Sequence, residues 1–472
     1  MNNRLKSFKT DFFTCFTHSP TNDQFEAINK ISEFICEQNP NAVFILNGYA
    51  GTGKTKLIAS LSKSLHNSGI RSVLMAPTGR AAKVLSEYAS KEASTIHRKI
   101  YSSNLSPDGP EFLALAENLH KNTVFIVDEA SMIGNEKSGQ HENSTLLEDV
   151  FEYVFSGDNC KLILVGDTAQ LPPVGSSESP ALDIAFLEKN FNLNISASSL
   201  KEVVRQEELS GILYNATQLR IHLVAETISF PKLELFPDVK RINGTELEDE
   251  LNAAYSNYGF ENTLIICRSN KRANAFNFAV RNRIKWQESE ISAGDLMMVV
   301  KNNYFWLKEE KNGNFIANGE NIEIRKIKKI KDLYEFKFAE AVISLSDQTN
   351  QPEIEAILLL DTITQETPSL SKESNQKLFH AILEDLDPEL SLSSKKYNIL
   401  NKNPYYNALQ VKFSYAVTCH KSQGGQWPCV FIDQGYLNSE MMGKDYLRWL
   451  YTAFTRASEK VYLVNFNDDF FQ

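Results

Sequence analysis

The stretch NGYAGTGKTKLIAS, from Asn47 to Ser60, constrains the fold of this 472-residue chain more than any other feature. It satisfies the pattern G-x-x-x-x-G-K-[ST], in which a glycine-rich loop leads into a lysine and a hydroxyl residue. The apolar run Val43–Leu46 predicts a short buried strand before the loop, and Lys56–Leu65 predicts a helix after it. This order indicates a parallel α/β sheet with a phosphate-binding loop at one edge.

The residues of this loop have the chemistry that a nucleoside triphosphate requires. Glycines let backbone N–H groups turn towards a phosphate, and the helix N-terminus adds the positive end of its dipole. Lys54 is predicted to reach the β- and γ-phosphates, and the Thr55 hydroxyl is predicted to ligate Mg²⁺. We therefore expect ATP and Mg²⁺ here, with nucleotide contacts from Gly48, Ala50, Gly51, Thr52, Gly53, Lys54 and Thr55.

Two further apolar runs end in polar residues that suit the same site. VFIVDEASMIG delivers Asp128 and Glu129 to the carboxyl edge of a strand, where ligands of open α/β sheets bind. Asp128 is predicted to hold Mg²⁺, and Glu129 to orient or deprotonate the attacking water. LILVGDTAQLPPVG brings Gln170 to this edge, where we expect its amide to sense the γ-phosphate. An apolar run before Asp-Glu is common, and its pairing with the phosphate loop favours a catalytic interpretation.

The composition argues against several classes of protein. Apolar residues make up 42% of the chain, and no apolar run approaches the ~20 residues of a membrane span. The N-terminal residues lack a signal-peptide core, and the six cysteines form no C-x-x-C pair. We expect a reduced, cytoplasmic protein that does not contact membranes. The net charge of −10 opposes nucleic-acid binding weakly, because a local basic track can lie within an acidic surface.

The pattern along the chain indicates two α/β regions. Residues 40 to 170 alternate strand-like and helical stretches, as a parallel sheet requires. Turn residues in YSSNLSPDGP, from Tyr101, interrupt this alternation and indicate a small projecting hairpin. A second α/β region begins near Leu264 and closes with KVYLVNF, at 460–466, whereas residues 294 to 361 have the alternation of short strands. A β-rich insertion therefore interrupts the second region.

Nine segments resemble the motifs of superfamily 1 helicases of the 1B branch, which comprises RecD-like and Dda-like enzymes with a UvrD-type C-terminal domain. They follow the family order and are TNDQFEAI (21–28), GYAGTGKT (48–55), APTGRAA (76–82), STIHR (94–98), VDEASM (127–132), GDTAQLPPV (166–174), VVRQ (203–206), YAVTCHKSQGGQW (415–427) and LYTAFTRAS (450–458). The resemblance implies an α/β fold with two RecA-like P-loop motor domains. It also implies a small pin insertion in the first domain and an SH3-like β-rich insertion in the second.

The implied division of the chain has four parts. The first motor domain spans 1–190, with the pin at about 101–120, and the second begins with 191–293. The SH3-like insertion spans 294–402, and residues 403–472 complete the second motor domain. The insertion carries a basic run that either contacts DNA or forms a solvated strand face, namely Arg325, Lys326, Lys328, Lys329 and Lys331.

The resemblance implies roles for residues in the cleft between the motor domains. Gln24 would read the adenine edge with an amide that both donates and accepts hydrogen bonds. Arg205 and Arg456, from the second domain, would stabilise charge on the transferred γ-phosphoryl group alongside Lys54. Members of the family often have Glu at the position of Gln426, whose amide can accept a ribose hydroxyl but carries no charge. Ribose selection therefore stays open.

A second set of residues is implied to hold a single strand of DNA. Thr78 and the backbone near Gly79 open a helix, which suits a DNA phosphate. The implied contacts are Pro77, Thr78, Gly79, His97, Thr418, His420, Lys421 and Ser422. A satisfied core histidine is the alternative interpretation of both His97 and His420.

The resemblance implies a monomeric, ATP- and Mg²⁺-dependent DNA helicase that moves 5′ to 3′ on single-stranded DNA and unwinds tailed duplexes. Repair or replication proteins are the partners that such an enzyme suggests. An RNA-directed superfamily 1 motor and a binding module that uses ATP only as a switch are the alternatives. A nuclease subunit is disfavoured, because the sequence has no evident nuclease carboxylate cluster.

Overall fold

Parallel β-sheets and a closed β-barrel organise the fold, as a computed structural model of the chain shows. Together they confirm the predicted α/β class with two RecA-like sheets and a β-rich insertion. We call the first sheet with its helices the first lobe, and the second sheet with its helices the second lobe. The structure describes residues 2–104, 112–136, 144–204, 210–225, 229–307, 315–346, 351–385, 399–400 and 402–471.

The first lobe is built on a sheet in which all described strands run parallel. In spatial order they are β3 (Ala93–Thr95), β2 (Arg71–Ala76), β6 (Thr123–Val127), β7 (Lys161–Gly166), β1 (Ala42–Gly48) and β8 (Asn194–Leu200). Both faces of β1 are covered, since Phe44 packs in the core on one side and Val43 in the core on the other. The predicted strands at 43–46, 72–76, 124–127 and 162–165 are confirmed.

Helices cover both faces of this sheet in the part of the chain that the structure describes. They are α1 (Asn2–Cys15), α2 (Asn22–Cys36), α3 (Lys54–Asn67), α4 (Gly79–Ala89), α5 (Ile96–Ile100), α6 (Leu146–Ser156) and α7 (Ile184–Asn190). Phe12 of α1 and Ile28 of α2 share one core with Phe44, and Val150 of α6 lies in the core of the opposite face. The helix predicted after the phosphate loop is confirmed as α3.

The second lobe has a parallel sheet assembled from two distant parts of the chain. In spatial order its described strands are β16 (Ala416–Thr418), β10 (Thr263–Cys267), β17 (Trp427–Asp433), β18 (Ala457–Val464) and β9 (Val239–Ile242). Its helices are α8 (Gly211–Leu223), α9 (Leu247–Tyr258), α10 (Asn270–Ala279), α13 (Cys419–Ser422) and α14 (Lys444–Phe454). α14 is amphipathic and almost wholly buried, because it packs between this sheet and the first lobe.

A closed barrel interrupts the second lobe. Its strands are β11 (Leu296–Val299), β12 (Asn321–Leu333), β13 (Phe336–Leu345), β14 (Glu353–Leu359) and β15 (Leu409–Phe413), and α11 (Asp361–Thr364) and α12 (Lys372–Asp385) follow β14. The alternating segment LYEFKFAEAVISL, at 333–345, has the pattern of a single strand. Instead Tyr334 and Glu335, both at positive φ (58° and 62°), form the turn of a hairpin that joins β12 to β13.

A buried ionic cluster joins the barrel to the second lobe. Asp295, just before β11, is fully buried and accepts from Arg281 Nε at 3.2 Å and from the Tyr415 hydroxyl at 3.0 Å. Lys285 Nζ lies 3.5 Å from the same carboxylate and donates to Tyr415 at 2.7 Å. These residues come from both sides of the insertion, so they fix where the barrel leaves the lobe.

Two strands begin just after a predicted domain boundary but belong to the structural unit before it. The boundaries otherwise stay a prediction. β8 begins after residue 190 yet pairs with β1 in the first sheet, and β15 begins after residue 402 yet closes the barrel. β8 reads NISASSL and occupies the sheet edge, so its serine-rich sequence lacks the apolar run that marks a buried strand. The predicted hairpin begins as a two-stranded ribbon of β4 (Tyr101–Asn104) and β5 (Phe112–Leu115).

The basic run of the barrel is largely neutralised by glutamates. Arg325 pairs with Glu323 at 2.8 Å, and Lys331 pairs with Glu340 at 2.5 Å. Lys328 forms a further ion pair with a glutamate of β14. These pairs favour the solvated-face interpretation of the run. Among the described residues, no helix combines the length and apolarity that crossing a bilayer requires.

Candidate active site and nucleic-acid groove

The phosphate loop lies between β1 and α3, as predicted. Gly51 and Gly53 have positive φ (74° and 80°), and Gly53 caps the N-terminus of α3 without a side-chain hydrogen bond. A Cβ on Gly48 would lie 2.8 Å from Lys54 Cγ, so only glycine leaves room for the lysine. Lys54 Nζ donates to the carbonyls of Gly48 and Tyr49, which holds the ammonium over the loop.

Asp128 and Glu129 stand at the carboxyl end of β6 in an unusual local geometry. Glu129 is at φ 53°, a left-handed conformation that is uncommon for this residue type. Burial, together with the charge of Glu129, raises the pKa of Asp128 to about 7, and Lys54 opposes this shift. Glu129 Oε2 is buried and has no hydrogen-bond partner among the described residues. The pair therefore has acceptors available for a cation and a water.

These residues fit Mg²⁺, although the described residues contain no group of three or more His, Cys, Asp or Glu side chains that would form a protein-only metal site. Magnesium in nucleotide sites typically takes one or two protein ligands, and phosphates and waters complete its octahedron. Asp128 offers one carboxylate, and Thr55 offers a hydroxyl in the first turn of α3. A divalent cation would also relieve the repulsion between Asp128 and Glu129.

Gln170 follows β7 on the GDTAQLPP loop, at the predicted edge of the sheet. Its side chain is 4% exposed, and Oε1 has no hydrogen-bond partner among the described residues. A buried amide oxygen without a donor is costly, so this site suits a group that can donate to it, such as a water.

Gln24 has a structural role that the sequence interpretation did not include. Its Oε1 accepts from Thr21 N at 3.0 Å in a capping box, and its Nε2 donates to the Thr52 carbonyl at 2.9 Å. Gln24 therefore anchors α2 to the phosphate loop. Reading of adenine stays a prediction, and it requires this 3%-exposed amide to exchange a present partner for the base.

The second lobe contacts the phosphate loop and the GDTAQLPP loop directly, and sequence reasoning missed these contacts. The Tyr451 hydroxyl accepts from Ala50 N at 2.9 Å and donates to Asp167 Oδ2 at 2.7 Å. Thr452 Oγ1 accepts from Leu171 N at 2.8 Å. Both residues belong to LYTAFTRAS, so the motif was recognised but only its arginine was assigned a role.

Other side chains extend the contact between the lobes. Gln423 Nε2 donates to the carbonyl of Leu171 at 2.7 Å, and Arg448 pairs with Glu178 at 2.8 Å. Arg220 of α8 stacks over the ring of Tyr49, 4.2 Å from its centroid. The phosphate loop is therefore bordered by cationic and hydroxyl groups of the second lobe.

Of the two predicted arginines, the structure describes one. Arg456 is 3% exposed, and its guanidinium donates to the carbonyls of Thr452 and Gly425, both at 3.2 Å. These partners hold it one turn beyond Tyr451 and within its own lobe, so contact with a phosphate stays a prediction. Arg205 lies outside the described residues, although its neighbour Val204 donates from its backbone N–H to the Gly51 carbonyl at 3.0 Å.

Gln426 lies beside α4, and none of the described contacts joins it to the phosphate loop. Its carbonyl accepts from Arg80 at 3.2 Å, and the Arg80 guanidinium stacks on Trp427 at 3.9 Å. The side chain of Gln426 is exposed. The predicted ribose contact therefore has no support in this arrangement, and it stays a prediction.

A groove opens between the two lobes and the barrel, with a cavity of about 360 Å³. Several predicted strand-contacting residues line it, namely Pro77, Thr78, His97, His420 and Lys421. Asn302, Asn318 and Asn321 of the barrel complete the wall. His97 is half-buried at this wall, which does not match the alternative of a core histidine.

The remaining predicted contacts lie near this groove, with one correction. Gly79 begins α4, and Thr78 caps that helix by accepting from Ala81 N at 3.2 Å. Thr418 lines an adjoining cavity together with Lys421. Ser422 is fully buried and donates to the Cys419 carbonyl at 2.8 Å, so its hydroxyl stabilises α13 and does not face the groove.

Two neighbouring lysines place positive charge at this site: Lys421 lines the groove, and Lys412 lines the adjoining cavity. Lys421 Nζ donates to Asn318 Oδ1 at 2.6 Å, and Lys412 Nζ donates to the Gln365 carbonyl. Burial lowers the pKa of each lysine to about 8, and for Lys412 the charge of Lys421 adds to this effect. Burial also lowers the pKa of His420. A nearby anion would favour the charged lysines, so the groove suits a phosphate backbone.

Two family models match the chain. An AAA domain model matches residues 21–233, and a UvrD-like helicase C-terminal domain model matches residues 413–464. Together they include the phosphate loop, the GDTAQLPP loop and the segments that contact both from the second lobe.

Two of the named relatives are DNA helicases. The ATP-dependent RecD2 DNA helicase of Deinococcus radiodurans is 38% identical over 209 residues, which are 44% of this chain and 24% of that protein. The ATP-dependent DNA helicase dda of Enterobacteria phage T4 is 32% identical, over 36% of this chain and 37% of that protein. A protein of Acanthamoeba polyphaga mimivirus is 24% identical over 92% of this chain and 97% of its own length. The chain thus spans well under half of the two named helicases.

Among solved structures, the Pif1 helicase from Bacteroides in complex with ADP-AlF3 and ssDNA has a TM-score of 0.47 and 16% identity. It covers 96% of this chain, and the chain covers 95% of it.

Proposed function

We propose that this chain, a superfamily 1B helicase of the RecD-like and Dda-like branch, couples ATP hydrolysis to 5′-to-3′ movement along single-stranded DNA and to duplex unwinding. One observation carries the proposal. The interface that joins the second lobe to the phosphate loop through Tyr451 also includes Gln423, which contacts Leu171 and lines the groove between the lobes. A change at the nucleotide is therefore transmitted to the residues around the strand.

The nucleotide chemistry is assigned to residues of the first lobe. Lys54 binds the β- and γ-phosphates, and Thr55 and Asp128 hold Mg²⁺, which shields phosphate charge when it is bound. Glu129 accepts a proton from the attacking water through its unpartnered Oε2, and Gln170 orients that water. The raised pKa of Asp128 supports this arrangement, because a nearby cation stabilises the ionised form of a carboxylate whose pKa is about 7.

The second lobe supplies charge to the developing transition state. Arg456 is held by carbonyls of its own lobe, so it reaches the nucleotide as part of a rigid body when the lobes close. Arg205 is assigned the same function by the family motif VVRQ. Because the position of Arg456 depends on the second lobe, hydrolysis responds to closure.

The groove binds the strand through its sugar-phosphate backbone. Lys421, His420 and the N-terminus of α4 at Thr78 present donors from both lobes. A motor must pass every sequence, so contacts to phosphate serve it better than contacts to base edges. The β4–β5 ribbon of the first lobe is proposed to separate the duplex ahead of the groove.

Unwinding of matched duplexes with a 5′ or a 3′ single-stranded tail tests the proposal. We expect ATP- and Mg²⁺-dependent strand separation of the 5′-tailed duplex, and no activity from Lys54→Ala, which loses a phosphate contact without opening a core. Preference for the 3′ tail would reject the polarity. Stronger competition by RNA than by DNA single strands would favour an RNA-directed motor, and strand binding without turnover would favour an ATP-switched module.

A further inference from the structure

One helix of the second lobe holds the residues on both sides of Gln170. Asp167, three residues before Gln170, accepts from the Tyr451 hydroxyl at 2.7 Å. Leu171, directly after Gln170, donates to Thr452 Oγ1 at 2.8 Å. The backbone that carries Gln170 is therefore fixed to α14 at both ends. A displacement of α14 would move Gln170 with it.

Tyr451 also reaches the phosphate loop. Its hydroxyl accepts from Ala50 N at 2.9 Å while it donates to Asp167, so one oxygen joins three segments of the two lobes. Tyr451 is 1% exposed and Asp167 is fully buried. Burial and the charge of Asp167 raise the pKa of Tyr451 well above its usual value, so the hydroxyl keeps its proton and remains a donor. Water cannot easily replace it in this position.

We propose that Tyr451 and Thr452 are positioning residues. When the second lobe contacts the first, they hold Gln170 and the Ala50 end of the phosphate loop in the positions that hydrolysis requires. The proposal rests on the proposed function and gives it a mechanism of regulation. Neither residue is assigned a contact with the reacting atoms. Each acts through a segment of the first lobe, so its loss should slow turnover more than it weakens ATP binding.

The same helix offers a matched control for Tyr451. Tyr446 lies five residues earlier on α14 and is 3% exposed, but its hydroxyl has no hydrogen-bond partner among the described residues. Tyr451→Phe and Tyr446→Phe therefore remove the same atom from the same helix, and only the first loses bonds between the lobes. Thr452→Val removes the acceptor of Leu171 at constant shape, whereas Thr452→Ser retains the hydroxyl.

Steady-state ATPase assays with saturating single-stranded DNA give kcat and KM for each variant, and thermal melting reports its stability. We expect Tyr451→Phe to lower kcat by about tenfold or more, which corresponds to about 1.4 kcal/mol in the barrier. Its KM for ATP should change by less than about threefold. Tyr446→Phe should stay within about twofold of the wild type. Thr452→Ser should recover most of the rate that Thr452→Val loses.

Four results would overturn the positioning role: a wild-type kcat in Tyr451→Phe, an equal loss in Tyr446→Phe, a loss of rate that only follows a fall in melting temperature, or a Thr452→Ser variant as slow as Thr452→Val. Failure of the proposed function has a different signature. If the wild-type protein hydrolyses ATP without any response to DNA, the helicase proposal fails. The same comparison of kcat without DNA then decides the role of Tyr451.

Discussion

Replacing Asp295 by asparagine should cost far more stability than the same change in a nearby exposed ion pair. Asp295 is fully buried, and Arg281, which donates to it, is 2% exposed. Tyr415 and the backbone of Ser292 donate to the same carboxylate. The variant leaves a buried guanidinium without its counter-charge, and breaking such a pair typically costs about 3–5 kcal/mol. The loss falls on the junction between the barrel and the second lobe.

Hydrogen exchange is the suitable assay, because a chain with several structural units need not unfold in one step. The Leu296 amide donates to the Tyr415 hydroxyl at 3.1 Å and reports on this junction. We expect its protection to fall by about two to four powers of ten in Asp295→Asn. Glu290→Gln is the control, since Glu290 and Lys337 form an exposed pair at 2.9 Å that contributes about 0–1 kcal/mol. Equal protection in the two variants would refute the reasoning.

Three further predictions concern ATP hydrolysis and strand binding. Glu129→Gln should lower kcat by on the order of 10²-fold or more and retain ATP binding in a fluorescent-nucleotide titration, and an equal loss of binding would make Glu129 structural or a metal ligand. Arg456→Ala should slow hydrolysis by on the order of 10³-fold with a smaller change in ATP affinity, and wild-type turnover would place Arg456 outside the cleft. The pKa values of about 8 for Lys412 and Lys421 mean that both lose charge as the pH rises above 8. Single-stranded DNA affinity, measured by fluorescence anisotropy, should therefore fall between pH 7 and 9, and its salt slope should flatten by up to about 0.7 for Lys421, which lines the groove. Lys421→Arg should keep its share of the slope, and an affinity independent of pH would contradict the assignment.

The sequence predicted those parts of the fold in which local pattern and final environment agree. The centres of β1 and β6 are continuous apolar runs because helices cover both faces, and the glycine loop between β1 and α3 has one geometry. β8 was missed, because its alternate serines reflect an edge position that only the assembled sheet creates. The Tyr334 turn was missed because neither of its residues is a usual choice for positive φ.

Within the site, the sequence predicted chemistry better than contacts. Lys54 in a glycine-rich loop, together with Asp128 and Glu129 after an apolar strand, indicates a nucleotide site from residue type alone. The burial of Ser422 and the two hydrogen bonds of the Gln24 amide depend on packing with other segments. The spacing of residues within a motif does not predict such packing. The contact of Tyr451 with Ala50 spans 401 residues of sequence and two lobes. Its hydroxyl gives no local signal of that role.

The closed barrel also has a consequence for the order in which the chain folds. β10 and β16 are parallel neighbours in the second lobe, although the whole barrel lies between them in sequence. The first and last strands of the barrel pair with each other, Met297 opposite Phe413, so a folded barrel brings these distant segments together. Loop closure costs about 0.6 kcal/mol for each doubling of a flexible loop, and the barrel removes most of that length. The second sheet should therefore be the last to assemble during synthesis, with the barrel as its template.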